Sequence, residues 1–290
     1  MLFDAHNHVH LGPSKLTNLL PEPPLPIPLG GMAIMSTHPR DFEIVESSCS
    51  TLSKTHKMHA IPCFGVHPWF IHEMTSSNSL AKPERNNPIE SEVPVWISEM
   101  ENLLNQNQNS CVGEIGLDGA RWTNPETREL STPMEDQQSI FELQLQMASN
   151  YDRPVSIHVV HAWGPFFNSI KKVKQSKKCE GLPSKMYLHA FGGKPMVVNQ
   201  VIKACGNSPK TKIFFGFAPC INFRSYRVNE VIKAVGMDRI LLETDLEDGT
   251  RVYDDLCSGA KLIADALNIS IDEVLERSYK NAQEFYGFKD

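Results

Sequence analysis

Apolar residues gather along this chain in eight short runs, near positions 2–6, 31–36, 59–66, 110–115, 154–159, 184–189, 211–217 and 239–244. The runs are partly β-branched and of strand length. Stretches of helical period separate most of them. Phe42, Val45, Cys49 and Leu52 step by 3, 4 and 3, and Phe141, Leu145 and Ala148 by 4 and 3, as one face of a helix requires. Phe166, Phe167, Ile170 and Val173 repeat the pattern after the fifth run, and Ser270-Ile271-Asp272-Glu273 fits a capping box ahead of Val274, Leu275, Ser278, Ala282 and Phe285. Strand and helix thus alternate to the end. Eight such units in 290 residues suit an α/β fold of the (β/α)₈ TIM-barrel type, usually about 250 residues long. A doubly wound open sheet would need fewer strands or a second domain. The expectation is one domain over residues 1–290, with its site at the C-terminal face of the barrel, where residues far apart in sequence share one mouth.

Three places depart from the pattern. Residues 13–30 contain Pro21, Pro23, Pro24, Pro26 and Pro28, which exclude an ordinary helix and predict an extended loop. Residues 75–94 are rich in Ser, Asn, Pro and Glu and read as an excursion over the barrel mouth or rim. Five lysines between Lys171 and Lys178 read as a solvated helix face, with a binding patch as the alternative.

Composition narrows the class only modestly. A hydrophobic content of 41% allows a large core. The seven cysteines are scattered, odd in number and without a C-x-x-C pair, so they read as reduced thiols of an intracellular protein. The N-terminus runs straight into a strand-like Leu2-Phe3-Asp4, and no run approaches membrane-spanning length. A cytoplasmic or nuclear protein without a membrane partner is expected. The net charge of −6 argues against generic affinity for a phosphate backbone, but leaves room for phosphate chemistry in a metal-loaded pocket.

The chemistry-bearing residues sit at the ends of the apolar runs. Alternation lets His6 and His8 face the same way at the exit of the first strand, where two imidazoles could bind one divalent ion. His10 falls beyond that strand and reads as a loop residue. Glu114 follows Val112-Gly113 in an apolar run, where a carboxylate is costly unless paired with a cation: a salt bridge to an arginine, or a bridge between two metal ions. His158 and His189 end neighbouring runs. Asp245 closes the eighth, as the N-cap of a following helix or as a ligand that also orients or deprotonates the attacking water. Of eleven histidines, five (His6, His8, His67, His158 and His189) fall at such ends, which favours a shared site over incidental core positions.

The pieces D-A-H-N-H at 4–8, G-V-H-P at 65–68, G-E-I-G-L-D at 113–118, F-x-x-Q-L at 141–145, R-P-V-S-I-H at 153–158, H-A-F-G-G at 189–193 and L-E-T-D at 242–245 together resemble the TatD family of metal-dependent hydrolases, among the amidohydrolase-like barrels. The resemblance implies one or two divalent ions per chain (zinc, manganese or magnesium), with His6, His8, Glu114 and Asp245 holding the first and Glu114, His158 and His189 the second. It implies hydrolysis of phosphodiesters in DNA or nucleotides, with Asp245 and Glu114 in catalytic roles. Three substrate-side positions depart from the family pattern: Val160 stands where an arginine is common, Gly119-Ala120-Arg121 replaces an aromatic-rich stretch, and Leu246-Glu247-Asp248 replaces a proline-containing turn. That resembles a divergent eukaryotic branch, some of whose fungal members are described as partners of cell-cycle machinery. His67, Arg121, His161 and Lys194 are candidates for substrate binding, with Arg224 a further cation of the same kind.

Two other functions remain open on the sequence: a barrel of this kind hydrolysing amides, esters or deaminating bases, and a metal-binding barrel without turnover that holds a protein partner.

Overall fold

The apolar runs become eight parallel strands in a computed structural model that describes residues 1–12, 26–76, 94–206 and 211–289. They are β1 (Leu2–Asn7), β2 (Leu29–Met35), β3 (His59–Phe64), β4 (Cys111–Asp118), β7 (Val155–Val160), β8 (Lys185–Leu188), β9 (Lys212–Phe217) and β10 (Ile240–Leu242), neighbours in that order. A hairpin absent from the sequence expectation, β5 (Trp122–Asn124) and β6 (Glu129–Leu130), projects after β4. The helices are α1 (Phe42–His56), α2 (Ile71–Ser76), α3 (Val95–Gln106), α4 (Met134–Asn150), α5 (Trp163–Gln175), α6 (Pro195–Gly206), α7 (Pro219–Asn222), α8 (Val228–Val235), α9 (Val252–Leu267) and α10 (Ile271–Tyr286). The fold is a TIM barrel, as expected. Closure from β10 to β1 runs through Asp4, whose carboxylate accepts from the Thr244 N–H at 3.0 Å and the Thr244 hydroxyl at 2.7 Å. The Asp245 N–H adds a bond to the His6 carbonyl at 2.9 Å. Burial pushes the Asp4 carboxyl up to about 7, against the lowering pull of these bonds.

Each helix buries the face its spacing marks. α1 buries Phe42, Val45, Cys49 and Leu52; α4 buries Phe141, Leu145 and Ala148; α5 buries Phe166, Ile170 and Val173. Lys171, Lys172 and Lys174 lie on the exposed side of α5, Lys172 paired with Glu142 at 3.1 Å. The Ser270 hydroxyl accepts from the Glu273 N–H at 3.1 Å and starts α10. All seven thiols are free, and among the described residues no helix is long and apolar enough to cross a membrane.

Inside the barrel, Phe3, Ala5, Ala33, Met35, Ile61, Cys63, Cys111, Tyr187, Phe214 and Leu241 form one apolar cluster continuous with Phe285, Tyr286 and Phe288. The tail of α10 thereby covers the N-terminal end of the strands. Phe288 stacks on Phe3 at 4.8 Å and on His59 at 4.5 Å, and the Tyr286 hydroxyl donates to the Ala5 carbonyl at 2.6 Å.

Two strands change register where the site begins. In β1, Phe3 and Ala5 belong to the interior cluster, yet His6, the next residue, also faces inward onto Ser156, and the pairing with β2 shifts between Asp4 and Asn7. In β4 the pairing with β7 shifts between Val112 and Ile115, at Glu114. Such irregularities re-aim a side chain that strict alternation would send elsewhere.

Some expectations fall differently. β10 stops at Leu242, so Asp245 lies in the following loop, at φ 57. It does not cap the next helix, because the Asp248 side chain accepts from the Thr250 N–H at 3.1 Å and begins that turn. Of the proline-rich stretch 13–30, residues 13–25 lie outside the described residues, and Leu29 already belongs to β2. Of the excursion 75–94, residues 77–93 lie outside them, while α2 extends to Ser76 and Pro94 precedes α3.

Candidate metal centre

Glu114 is the hub of the site. Buried at the end of the apolar half of β4, its carboxylate turns one oxygen to each side of the barrel axis. Oε2 lies 3.1 Å from His8 Nε2 and 3.5 Å from His6 Nε2. Oε1 lies 2.7 Å from His189 Nε2, 3.1 Å from His158 Nδ1 and 3.3 Å from His67 Nε2. Asp245 Oδ1 completes the first side at 3.6 Å from both His6 and His8 Nε2. The structure thus brings together His6, His8, Glu114, His158, His189 and Asp245, with His67 beside them. Donor atoms fall within 4.8 Å of one another in three groups: His6, His8 and Glu114; His6, His189 and Asp245; His67, Glu114 and His158.

A close crossing of β4 and β7 makes the convergence possible. Gly116, at φ 152, would place a Cβ 2.0 Å from the His158 carbonyl oxygen, so only glycine lets these strands approach between Glu114 and His158.

The electrostatics follow from burial against charge. Glu114 is buried, which opposes its ionised form, but His189, His67 and His158 outweigh that and hold it well below the usual carboxylate range. Burial also opposes charge on His8 and His158, yet hydrogen bonds and charge from carboxylates (Glu114 for both, with Asp118 for His158 and Asp245 for His8) push each up to about 9. His6 and His67 go the other way: burial lowers His6 well below the ordinary imidazole value and His67 to about 4. Burial raises Asp245.

Hydrogen bonds on the far side of each ring decide which nitrogen has a free lone pair. His8 Nδ1 faces the Met35 carbonyl at 3.0 Å, an acceptor only, so Nδ1 keeps a proton and Nε2 is the nitrogen a cation can take once it displaces the proton held against Glu114. His158 Nε2 faces Asp118 Oδ2 at 3.1 Å, which leaves Nδ1 free toward Glu114. His67 is reversed: its Nδ1 accepts from the Trp69 N–H at 3.2 Å, so Nε2 carries the proton and donates to Glu114. His67 therefore orients the Glu114 carboxylate and is a poorer ligand than its position suggests. The two ring nitrogens of His189 are buried without a hydrogen bond, and its 2.7 Å approach to Glu114 lacks hydrogen-bond geometry. Orphaned imidazole nitrogens around an ionised carboxylate are the donor set of a divalent cation, so the residues fit one.

The cage opens into a cavity of about 560 Å³. Arg121 and His67 line it; Val160 does too, as an apolar wall. His161, Lys194 and Arg224 do not. His161 is exposed at φ 49 just past β7, and Lys194 is exposed while its carbonyl accepts from the Val197 N–H at the start of α6.

Several residues without a sequence assignment support the cage. Ser156 Oγ lies 2.8 Å from His6 Nδ1. Asp118 holds His158 and accepts the Trp69 indole N–H at 2.7 Å. Glu243 accepts from the Tyr187 hydroxyl at 2.5 Å and the Ala190 N–H at 2.6 Å, bracketing His189 in sequence; burial raises its carboxyl well above the usual range. Acids that end or interrupt apolar runs, as Asp118 and Glu243 do, were the available signal.

Known proteins agree with this architecture. The Cut9-interacting protein scn1 of Schizosaccharomyces pombe is 24% identical to the chain, covering 98% of each. The human deoxyribonuclease TATDN3 is 25% identical over 88% of this chain and 83% of its own. The crystal structure of YJJV, a TatD homologue from Escherichia coli, superposes with a TM-score of 0.70 at 18% identity, covering 99% of this chain and 98% of that one, a likeness of fold. The sequence model of the TatD related DNase family matches residues 3–287, and the chain belongs to that family.

Proposed function

We propose that residues 1–290 form one hydrolase unit that cleaves phosphodiester bonds in DNA or nucleotides with divalent metal. The observation that carries this reading is Glu114, whose two oxygens face two separate sets of imidazoles at the mouth of one barrel. His6, His8, Glu114 and Asp245 would hold one ion, and Glu114, His158 and His189 a second. Ions bound there would polarise a phosphoryl oxygen and acidify water, the chemistry a phosphodiester needs. The donor set suits zinc, manganese or magnesium.

The chain's own groups then divide the work. Asp245, displaced from the strand into a loop beside His6 and His8, is placed to orient the attacking water and take its proton. His67, neutral near pH 7, keeps Glu114 turned toward both sides. Val159, Val160 and Ile221 wall the cavity with apolar surface, which strengthens charge interactions within it.

The test is metal analysis of the purified protein joined to a nuclease assay across zinc, manganese and magnesium. Nucleotide release from a DNA end should require a divalent ion and be lost in Glu114→Ala and Asp245→Asn. Turnover unchanged in those variants, or confined to uncharged esters and amides, overturns the reading.

A second role is favoured by the relative described as Cut9-interacting, which matches end to end. We infer that the chain also holds a protein partner, in the cytoplasm or nucleus. A pull-down with the Glu114→Ala protein separates the two, since partner capture should survive the loss of hydrolysis.

A further inference from the structure

Among the described residues that line the cavity, Arg121 is the one lysine or arginine. Its guanidinium lies over the Trp69 ring, 4.6 Å from the centroid, and among the described residues no carboxylate pairs with it. Both supports of this cation trace to one side chain. Asp118 Oδ1 accepts from the Ala120 N–H at 2.7 Å and the Arg121 N–H at 3.2 Å, shaping the turn that presents the arginine. Asp118 Oδ2 accepts the Trp69 indole N–H at 2.7 Å, fixing the ring on which the guanidinium rests. The same oxygen lies 3.1 Å from His158 Nε2. One carboxylate therefore sets the position of a cage histidine and of the cation at the mouth.

A free arginine would lose about 2 kcal/mol of side-chain freedom on gripping a ligand. Stacking on a fixed indole removes part of that cost beforehand. The guanidinium keeps its planar fork of donors open, the geometry that meets a phosphate through two bonds. A neutral ester or amide offers an unpaired guanidinium a carbonyl acceptor but neither the charge nor the paired oxygens of a phosphate, and a protein of net charge −6 gains from a local cation that draws a polyanion to this face. Three residues beyond the end of β4, Arg121 is exposed; it belongs to the rim, whereas the cage lies deeper.

We propose that Arg121, held over Trp69, takes the phosphate next to the one being cleaved, so that the substrate class is an oligonucleotide with at least two backbone phosphates. This rests on the phosphodiesterase reading above and adds a specificity-determining residue to it.

The experiment uses the metal-loaded full chain and labelled thymidine trinucleotides: one with two phosphodiesters, and two in which either linkage is an uncharged methylphosphonate. In the wild type, neutralising the neighbouring linkage should lower kcat/KM roughly tenfold, since hydrogen bonds to charged groups are worth that much or more. Arg121→Ala should show the same loss on the all-phosphate substrate, expressed in KM, and almost no further loss on the neutralised ones. Arg128→Ala, whose guanidinium lies over Trp122 on the hairpin and outside the cavity lining, should change kcat/KM less than twofold. Equal discrimination in wild type and Arg121→Ala overturns the proposal, as does an equal loss in Arg128→Ala. Fluorescence anisotropy with the same trinucleotides gives a readout independent of turnover: the fall of affinity with rising salt should be shallower in Arg121→Ala than in the wild type. If no variant hydrolyses anything, the phosphodiesterase reading fails alone, and the salt slope still decides the role of Arg121; an unchanged slope overturns it.

Discussion

The two ends of this barrel are built from the same strands and behave as opposites. At the N-terminal end Phe3, Tyr187, Phe214, Phe285 and Phe288 fill the interior, and the tail of α10 covers it. At the C-terminal end Glu114, Asp245 and five imidazoles are crowded within a few ångströms, and the interior is open to a cavity. The closed end lowers free energy by removing aromatic surface from water, about 1.5–3 kcal/mol per large side chain. The open end concentrates groups that repel one another or resist burial, an arrangement that stabilises little until a cation joins it. Stability and chemistry are thus segregated along one axis, as in barrels generally, and substitutions at the two ends should have separable consequences.

The largest separation is expected from Glu114→Ala. Deleting the Glu114 carboxylate should lower turnover by about a thousandfold or more, taking several kcal/mol of metal-assisted stabilisation from the reaction, and reduce bound metal. The metal-free variant should melt below the metal-free wild type, because His8 and His158 lose the carboxylate that holds their protons, but by less than a core deletion costs, because burial of the Glu114 charge itself opposed folding. Phe285→Ala is the counterpart at the closed end. It should cost about 3–5 kcal/mol of unfolding free energy in a denaturant titration, with metal content per folded chain unchanged. If Glu114→Ala destabilised the metal-free chain as much as Phe285→Ala does, the segregation would be wrong.

Acid–base behaviour offers a test confined to the open end. His6 and His67 have folded values below the unfolded one and bind fewer protons when folded. The stability these two imidazoles contribute should therefore rise as pH climbs from about 4 to about 6.5, while Asp4, Asp245 and Glu243, whose carboxyls are raised in the folded state, work against it as they ionise. His8 and His158 stand at about 9, above the unfolded value, so the stability they contribute is complete below about 6.5 and is lost as pH rises toward 9. Loading the metal replaces those protons with a cation, so binding at pH 7.5 should release protons, seen calorimetrically as a heat that varies with buffer, and the alkaline decline should disappear. A decline unaffected by metal would remove His8 and His158 from the ligand set.

The sequence carried most of the closed-end logic and about half of the open-end logic. The eight runs and the helix faces of α1, α4 and α5 were legible because burial imposes a period on apolar residues, and every long helix has to obey it. β5–β6 was not, since strands of three and two residues leave no period. Histidine positions at run ends pointed to a shared mouth, and the mouth does collect His6, His8, His67, His158 and His189. Alternation could not foresee that β1 and β4 slip register at His6 and at Glu114, because a bulge obeys the partner strand. Nor could it separate His67 from the other imidazoles, a distinction that rests on the Trp69 N–H at its Nδ1. Arg121 and Lys194 looked alike as loop cations; only the turn around Asp118 aims one of them into the cavity, while the other sits at the start of α6.

The finest comparison pairs one buried hydrogen bond from each end. Ser156 Oγ, 2.8 Å from His6 Nδ1, fixes the orientation of a ring whose opposite nitrogen faces Glu114 and Asp245. Tyr286, through its hydroxyl on the Ala5 carbonyl, ties the α10 tail to the residue just before that same histidine. The two bonds are similar in length and burial and lie on adjacent residues of β1, so local packing alone would make their removal equivalent. Ser156→Ala should instead weaken metal binding about tenfold, the low end of what loss of a ligand-orienting partner costs, read by competition with a chromogenic chelator. Tyr286→Phe should cost about 1 kcal/mol of unfolding free energy and leave the chelator curve unmoved. Should Tyr286→Phe weaken metal binding as much as Ser156→Ala, β1 would transmit strain along its length, and the division between a structural and a chemical end would shrink to the side chains of the cage itself.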